Sequence, residues 1–173
     1  MNISQDFRTL APMPHTASAR LLVPVDATER SRWGIKYALG CKDSGRAVAV
    51  SLLLVTEPVT SWQVLRFMTQ EQVRRFQAAR ARDLLEDAVG SLKQAGIPVQ
   101  SNDREGDIAF EILDLAEQLE CDEIVLPVPY PKWAKIFTPD ITREVLRRKR
   151  SVAVTTVDCD GVPDRSWEHA AVW

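Results

Sequence analysis

Five short runs rich in Val, Leu and Ile alternate along this 173-residue chain with four segments whose apolar residues recur at helical spacing. That alternation is the strongest constraint on the fold. The runs are Arg20–Asp26, Val48–Val55, one beginning at Pro98–Ser101, Glu123–Val128 and Ser151–Val157. Near-continuous apolar stretches of this length suit strands buried on both faces of a parallel sheet. The run at Pro98 is short and weakly apolar, which suits a sheet edge. Between the runs, Thr28 offers a helix N-cap with Glu29 in the first turn, and Ile35, Ala38 and Leu39 form a stripe that ends near Gly40 and Gly45. A long helical pattern spans Trp62 to Ala95 and stops at Gly96. Asp107 caps a third helix, buried through Ile108, Ile112, Leu115 and Ala116. Thr138, Pro139 and Asp140 read as N-cap, first helical position and first-turn acid of a fourth, with Ile141, Val145 and Leu146 inward. Strand–helix alternation puts the crossovers on the faces of the sheet, so the fold class is α/β, a five-stranded parallel sheet with helices on both faces.

At this length a single domain is expected: a flexible arm over residues 1–19, the domain over 20–158 and a tail over 159–173, in which Trp167 and Trp173 are able to dock. A net charge of −2 gives no global attraction to nucleic acid or acidic membranes. Cys41, Cys121 and Cys159 are odd in number and scattered, which fits free thiols in a reducing compartment. No cysteine pair has metal-ligand spacing, and His15 and His169 fall in the expected arm and tail. No apolar leader segment and no membrane-length apolar run is present, so a cytoplasmic protein without membrane insertion is expected.

Ligands of such sheets sit beyond the carboxyl ends of the strands, at a switch in strand order. Asp26 ends the first strand there, and the loop Pro127–Pro131 follows the fourth. That loop is hostile to phosphate. No glycine occurs between Asp107 and Asp160, and Pro127, Pro129 and Pro131 remove three N–H donors. A phosphate cradle needs free N–H groups and a backbone that allows close approach.

Taken in order, Leu22–Asp26 followed by Thr28–Ser31, the long second helix, Glu105-Gly106-Asp107 leading into Ile112–Ala116, and Cys121–Leu126 resemble the universal stress protein family over roughly residues 20–158. The resemblance implies a Rossmann-like, adenine nucleotide α-hydrolase-like sheet in the order 3-2-1-4-5. It also implies a homodimer joined along the last strand, Ser151–Val157. Members that bind ATP carry Gly, two residues, Gly, nine residues, Gly and then Ser or Thr after strand four. Those positions fall here on Pro127, Tyr130, Asp140 and Ile141. The proline lacks a donor, Ile141 cannot hydrogen-bond, and Asp140 would place a like charge beside a triphosphate, at about 1–4 kcal/mol for a separation of about 4 Å. The expected protein therefore does not bind ATP in the family manner. Pro24, Val25, Asp26 and Val55 match positions that hold adenine and ribose in ATP-binding members, so adenosine, AMP or another small nucleotide remains an alternative ligand, with no cofactor as the first reading.

Several residues carry two readings. Asp26 either bonds a ligand or caps the following loop. Tyr130, Lys132, Trp133 and Lys135 either form a replacement site, cations for an anion and rings for stacking, or belong to a solvated loop. Arg147–Arg150 is either a nucleic-acid patch or charge complementing a helix C-terminus, the simpler account. Arg74, Arg75, Arg80 and Arg82 belong to the exposed face of the long helix. Thr138 is a cap, and neither it nor Thr142 sits at the family's hydroxyl position. The edge of Ser151–Val157 is either paired with a second copy or covered by residues 159–173. With no Ser-His-Asp set and no pyrophosphate loop, the expected function is that of a regulatory or protective dimer acting through an unidentified protein partner, not an enzyme. A nucleotide or metabolite sensor with a remodelled pocket is the alternative.

Overall fold

The computed structural model describes residues 18–26, 28–57, 83, 85–130, 140–149 and 151–166. Strands β1 (Ala19–Pro24), β2 (Val48–Thr56), β3 (Val99–Glu105), β4 (Glu123–Pro127) and β5 (Ala153–Val157) form one parallel sheet in the order β3-β2-β1-β4-β5. Helix α1 spans Ser31–Asp43, α2 is described over 85–94, α3 spans Ile108–Gln118 and α4 spans Ile141–Arg148. The register sets Leu21 beside Val50 on one side and beside Glu123 on the other.

Side chains alternate between the two faces of each strand, and each face has its own core. Leu21, Val23, Val50, Leu52 and Val125 pack under Ile35 and Ala38 of α1 and Ala88 and Leu92 of α2. Leu22, Leu53, Ile124 and Leu126 pack under Ile112 and Leu115 of α3 and Val145 of α4. β1 contributes to both cores, with Leu21, Leu22 and Val23 fully buried, which explains its unbroken apolar run.

Close approach sets one position on α1. A Cβ on Gly34 would fall 2.7 Å from Val23 Cγ1. Alanine there gains about 1 kcal/mol of helix preference but overpacks the sheet by about 1–3 kcal/mol. Gly34→Ala is therefore expected to lower the melting temperature by a few degrees; a raised melting temperature would show that α1 can lift from β1 without cost.

Several local expectations are corrected. Thr28 does not cap α1. Its N–H and hydroxyl both bond back to Asp26 Oδ1, at 2.7 and 2.6 Å, so the chain makes tight turns first and the helix begins at Ser31 with Arg30 as N-cap. Gly40 lies inside α1, and Gly45, at φ +83°, makes the turn. β3 is an edge strand as expected, but at seven residues it is longer than β4 or β5. Asp140 is itself the N-cap of α4, two residues later than the expected Thr138. β4 ends at Pro127 and β5 begins at Ala153. Residues 159–166 are no loose tail: Val157 and Pro163 pair antiparallel and Asp164 N–H donates to Thr156 O at 2.8 Å. The arm up to residue 17, the part of the expected long helix from Trp62 to residue 82, and Lys132, Trp133, Lys135, Thr138, Pro139, Arg150, Trp167, His169 and Trp173 lie outside the described residues.

Candidate functional site

β1, β2 and β4 end together, and their carboxyl ends open onto a small cavity of about 100 Å³. Pro24, Val25, Asp26 and Val55 all line it. Its floor and far wall are apolar, from Leu53, Leu126, Ile108, Ile112 and Ile141. Those last three come from α3 and α4; Ile141 stands at the family's hydroxyl position, whereas Ile108 and Ile112 were expected only in the buried stripe of their helix. Drug-sized and nucleotide ligands take cavities of about 300 Å³ or more, so the described walls leave room for only a fraction of one.

The rim is occupied by the protein's own polar groups. Asp26 Oδ1 accepts the two bonds from Thr28, which favours the capping reading of that residue. Ser31 Oγ lies 3.0 Å from Asp26 O and 2.8 Å from Thr28 O, pinning the same turn. Thr142, nearly fully buried, donates to Pro127 O at 2.9 Å and ties α4 to the end of β4. Among the described residues no buried side-chain nitrogen or oxygen lacks a partner.

Tyr130 stands apart from this cavity and takes part in a second cluster. Asp140 Oδ1 accepts from Arg143 N–H at 3.2 Å, the cap of α4. Its Oδ2 accepts from Tyr130 N–H at 3.0 Å and from Arg143 Nε at 2.9 Å. Arg143 also donates to Tyr130 O at 3.0 Å. A carboxylate thus meets a helix N-terminus, a loop amide and a guanidinium, the donors that would otherwise suit an anion. From α1, Arg30 reaches over and donates to Val128 O, its guanidinium lying 3.9 Å from the Tyr130 ring centroid and 4.7 Å from that of Trp33. This stacking ties the start of α1 to the loop after β4. Arg30 and Arg143 escaped the sequence reading. The only available signals were i,i+3 spacings, Arg30 to Trp33 and Asp140 to Arg143, which are common on helix surfaces.

At the opposite, amino-terminal end of β4 lies a separate buried network. Glu123, buried, accepts from Tyr37 OH at 2.9 Å and from Arg46 at 3.0 Å, and Arg46 also donates to Tyr37 OH at 2.9 Å. Burial first, and Glu123 next, push the Tyr37 phenol above its ordinary range, while the bond to Glu123 holds Arg46 protonated. Every group there is satisfied within the chain, as a structural network requires. Burial likewise raises the Cys121 thiol, which makes it a poor nucleophile. The basic stretch after Leu146 is partly neutralised: Arg147 and Arg148 pair with Glu144 at 2.6 and 2.5 Å, and Arg148 with Asp107 at 2.9 Å. Those pairs favour the helix-end account over a nucleic-acid patch. A groove of about 370 Å³ between α1 and α2 is larger than the strand-end cavity, but it lies on a helical flank away from the switch in strand order.

Sheet order, helix placement and a strand-end cavity at the β1/β4 switch define a Rossmann-like α/β binding fold. The universal stress protein family model matches residues 18–154, and the chain belongs to that family. Among solved structures, it is similar to a universal stress protein from Archaeoglobus fulgidus at 20% identity, TM-score 0.66, covering 82% of this chain and 50% of that one. A family protein from Burkholderia pseudomallei is 15% identical with TM-score 0.63, covering 84% and 96%. One from Arabidopsis thaliana, solved with AMP bound, is 15% identical with TM-score 0.56, covering 81% and 90%. Likeness at these identities concerns the fold. Comparison with curated proteins gives no match. Among the described residues no helix is long and apolar enough to cross a membrane, and no group of three or more His, Cys, Asp and Glu is placed to hold a metal ion.

Proposed function

We propose that this chain is a universal stress protein-like regulatory or protective protein of the cytoplasm that does not hold ATP in the family manner and works without catalytic turnover. It acts through protein contacts, self-association along strand Ser151–Val157 among them. One observation carries the loss of ATP binding: the Asp140 carboxylate fills the N-terminus of α4 and is held there by Tyr130 N–H and Arg143. A phosphate arriving at that place meets a negative charge with its donors already engaged. Titration calorimetry with Mg-ATP is expected to show no binding tighter than the millimolar range. A micromolar affinity would overturn the reading.

A second reading is favoured by the strand-end cavity, which keeps Pro24, Val25, Asp26 and Val55 together. Related folds have been solved with AMP and in complex with cAMP. On this reading the chain senses adenosine, AMP or another small nucleotide whose entry swings Arg30 and Tyr130 aside. A thermal-shift comparison separates the two. A dose-dependent rise with adenosine or AMP supports the sensor, and flat curves with both leave the contact-driven protein.

A further inference from the structure

The strand-end cavity has apolar walls, and the hydroxyls among them are already committed. Of the side chains lining it, only those of Asp26, Ser31 and Thr142 are polar. Ser31 Oγ has one proton, and both of its contacts, Asp26 O and Thr28 O, are acceptors. Thr142 Oγ1 gives its proton to Pro127 O. Val25 N–H donates to Leu53 O at 2.7 Å, and Pro24 and Pro127 have no N–H. A purine entering here presents ring acceptors, and no hydroxyl proton of the lining is left to meet them.

The floor of the cavity belongs to the core. Leu53, Ile112 and Leu126 are at most 3% exposed, and a water among them would lack the roughly two to four polar partners it needs. The volume of about 100 Å³ is about two-thirds of the roughly 150 Å³ in which an apolar cavity takes up benzene, so a compact body of about four to five carbons fits it. The lining carries one charge. Asp26 is exposed, its Oδ1 takes both bonds from Thr28, and its Oδ2 has no donor among the described residues. An anion entering meets a like charge there, whereas an O–H or N–H finds an acceptor.

We propose that this cavity binds a small alcohol or amine with a compact apolar body, the body against Leu53, Ile112 and Leu126 and the donor head on Asp26. The site goes beyond nucleotide sensing and rests on the loss of ATP binding proposed above, since a nucleotide at the same strand ends would exclude such a ligand. Burial of about five carbons supports a dissociation constant on the order of 1 mM.

Methyl-selective NMR of the full chain reads binding and place together. Titration with cyclopentanol and with cyclopentylamine is expected to shift the methyls of Leu53, Ile112, Leu126 and Ile141 saturably. Cyclopentanecarboxylate, the same ring with an anionic head, is expected to leave them unmoved. Val55→Phe enlarges a lining side chain and is expected to abolish the response; should it fail to fold, Ile141→Phe takes its place. Asp26→Asn keeps an acceptor for Thr28 and is expected to weaken the amine about two- to fivefold, with a smaller effect on the alcohol. An amine response unchanged by Asp26→Asn overturns the place of the donor head. Equal saturation by the carboxylate, or responses to alcohol and amine that survive both enlarged side chains, overturn the site. Shifts of those methyls by adenosine, with none from cyclopentanol or cyclopentylamine, overturn it and leave nucleotide sensing in place. Silence with every probe while Mg-ATP stays unbound overturns this site alone. Micromolar Mg-ATP binding overturns the loss of ATP binding and the site with it.

Discussion

Arg46→Ala is expected to destabilise the fold by about 2–3 kcal/mol, a fall in melting temperature of roughly 4–12 °C for a chain of this size. The substitution leaves Glu123 buried beneath α1 with Tyr37 as the remaining side-chain donor to its carboxylate among the described residues. Losing one partner of a fully buried pair costs about 3–5 kcal/mol. The value here is lower because the Arg46 side chain is 43% exposed against 10% for Glu123, so water already screens part of the attraction. The double variant Arg46→Ala, Glu123→Gln is expected to recover about 1 kcal/mol, because it removes the stranded charge while keeping an acceptor for Tyr37. Chemical denaturation of the two single variants and the double variant measures the coupling. Strictly additive losses would mean that the three groups do not act as one network.

Asp140→Gly has two opposed consequences. It removes the cap of α4 and leaves Tyr130 N–H and Arg143 Nε without their acceptor, a loss of about 2 kcal/mol. It also exposes a helix N-terminus, an amide and a cation converging on one point, with no carboxylate among them. Inorganic sulfate or phosphate is then expected to stabilise the variant. At about ten times its dissociation constant an anion contributes about 1.4 kcal/mol, or roughly 3–6 °C. The wild type should gain nothing comparable. Asp140→Asn separates the two effects, because asparagine caps about as well as aspartate while carrying no charge. Equal anion responses in wild type and both variants would show that the Asp140 carboxylate does not stand in the place of an anion.

Much of this architecture is legible in the chain because it follows from local periodicity. The run Leu21-Leu22-Val23 has to be buried on both faces, and it is, with one core formed by α1 and α2 and the other by α3 and α4. Asp107 reads as a cap and accepts from Phe110 N–H at 2.8 Å. Gly96 reads as a helix end and has φ +69°. In each case the deciding interaction spans a few residues, so residue type and spacing carry it.

The site was legible by half. Pro24, Val25, Asp26 and Val55 could be named because the family resemblance matches them to positions that hold adenine and ribose in ATP-binding members, and Asp26 also because it ends the first strand at the switch point. The other half depends on contacts between residues far apart in sequence. Arg30 closes on Val128 and Tyr130 across nearly a hundred positions, and no pattern in the chain specifies which carbonyl an arginine will reach. The helix start at Ser31 was misplaced for a related reason. The Thr28 hydroxyl could accept from the helix start as a cap or donate to a nearby carboxylate, and it donates to Asp26 two residues back.

By itself, then, the sequence determined the strand–helix alternation and the parallel sheet, since these are matters of residue type and short-range spacing, while the family resemblance implies that Pro127, Tyr130, Asp140 and Ile141 stand as replacements where ATP-binding members carry glycines and a hydroxyl. Only the tertiary structure decided what those replacements do. It set Asp140 against Tyr130 and Arg143, shrank the strand-end cavity with Ile108, Ile112 and Ile141, and laid residues 158–164 along β5. Each of those outcomes depends on where separate elements meet, and packing settles that only after every local preference has been met.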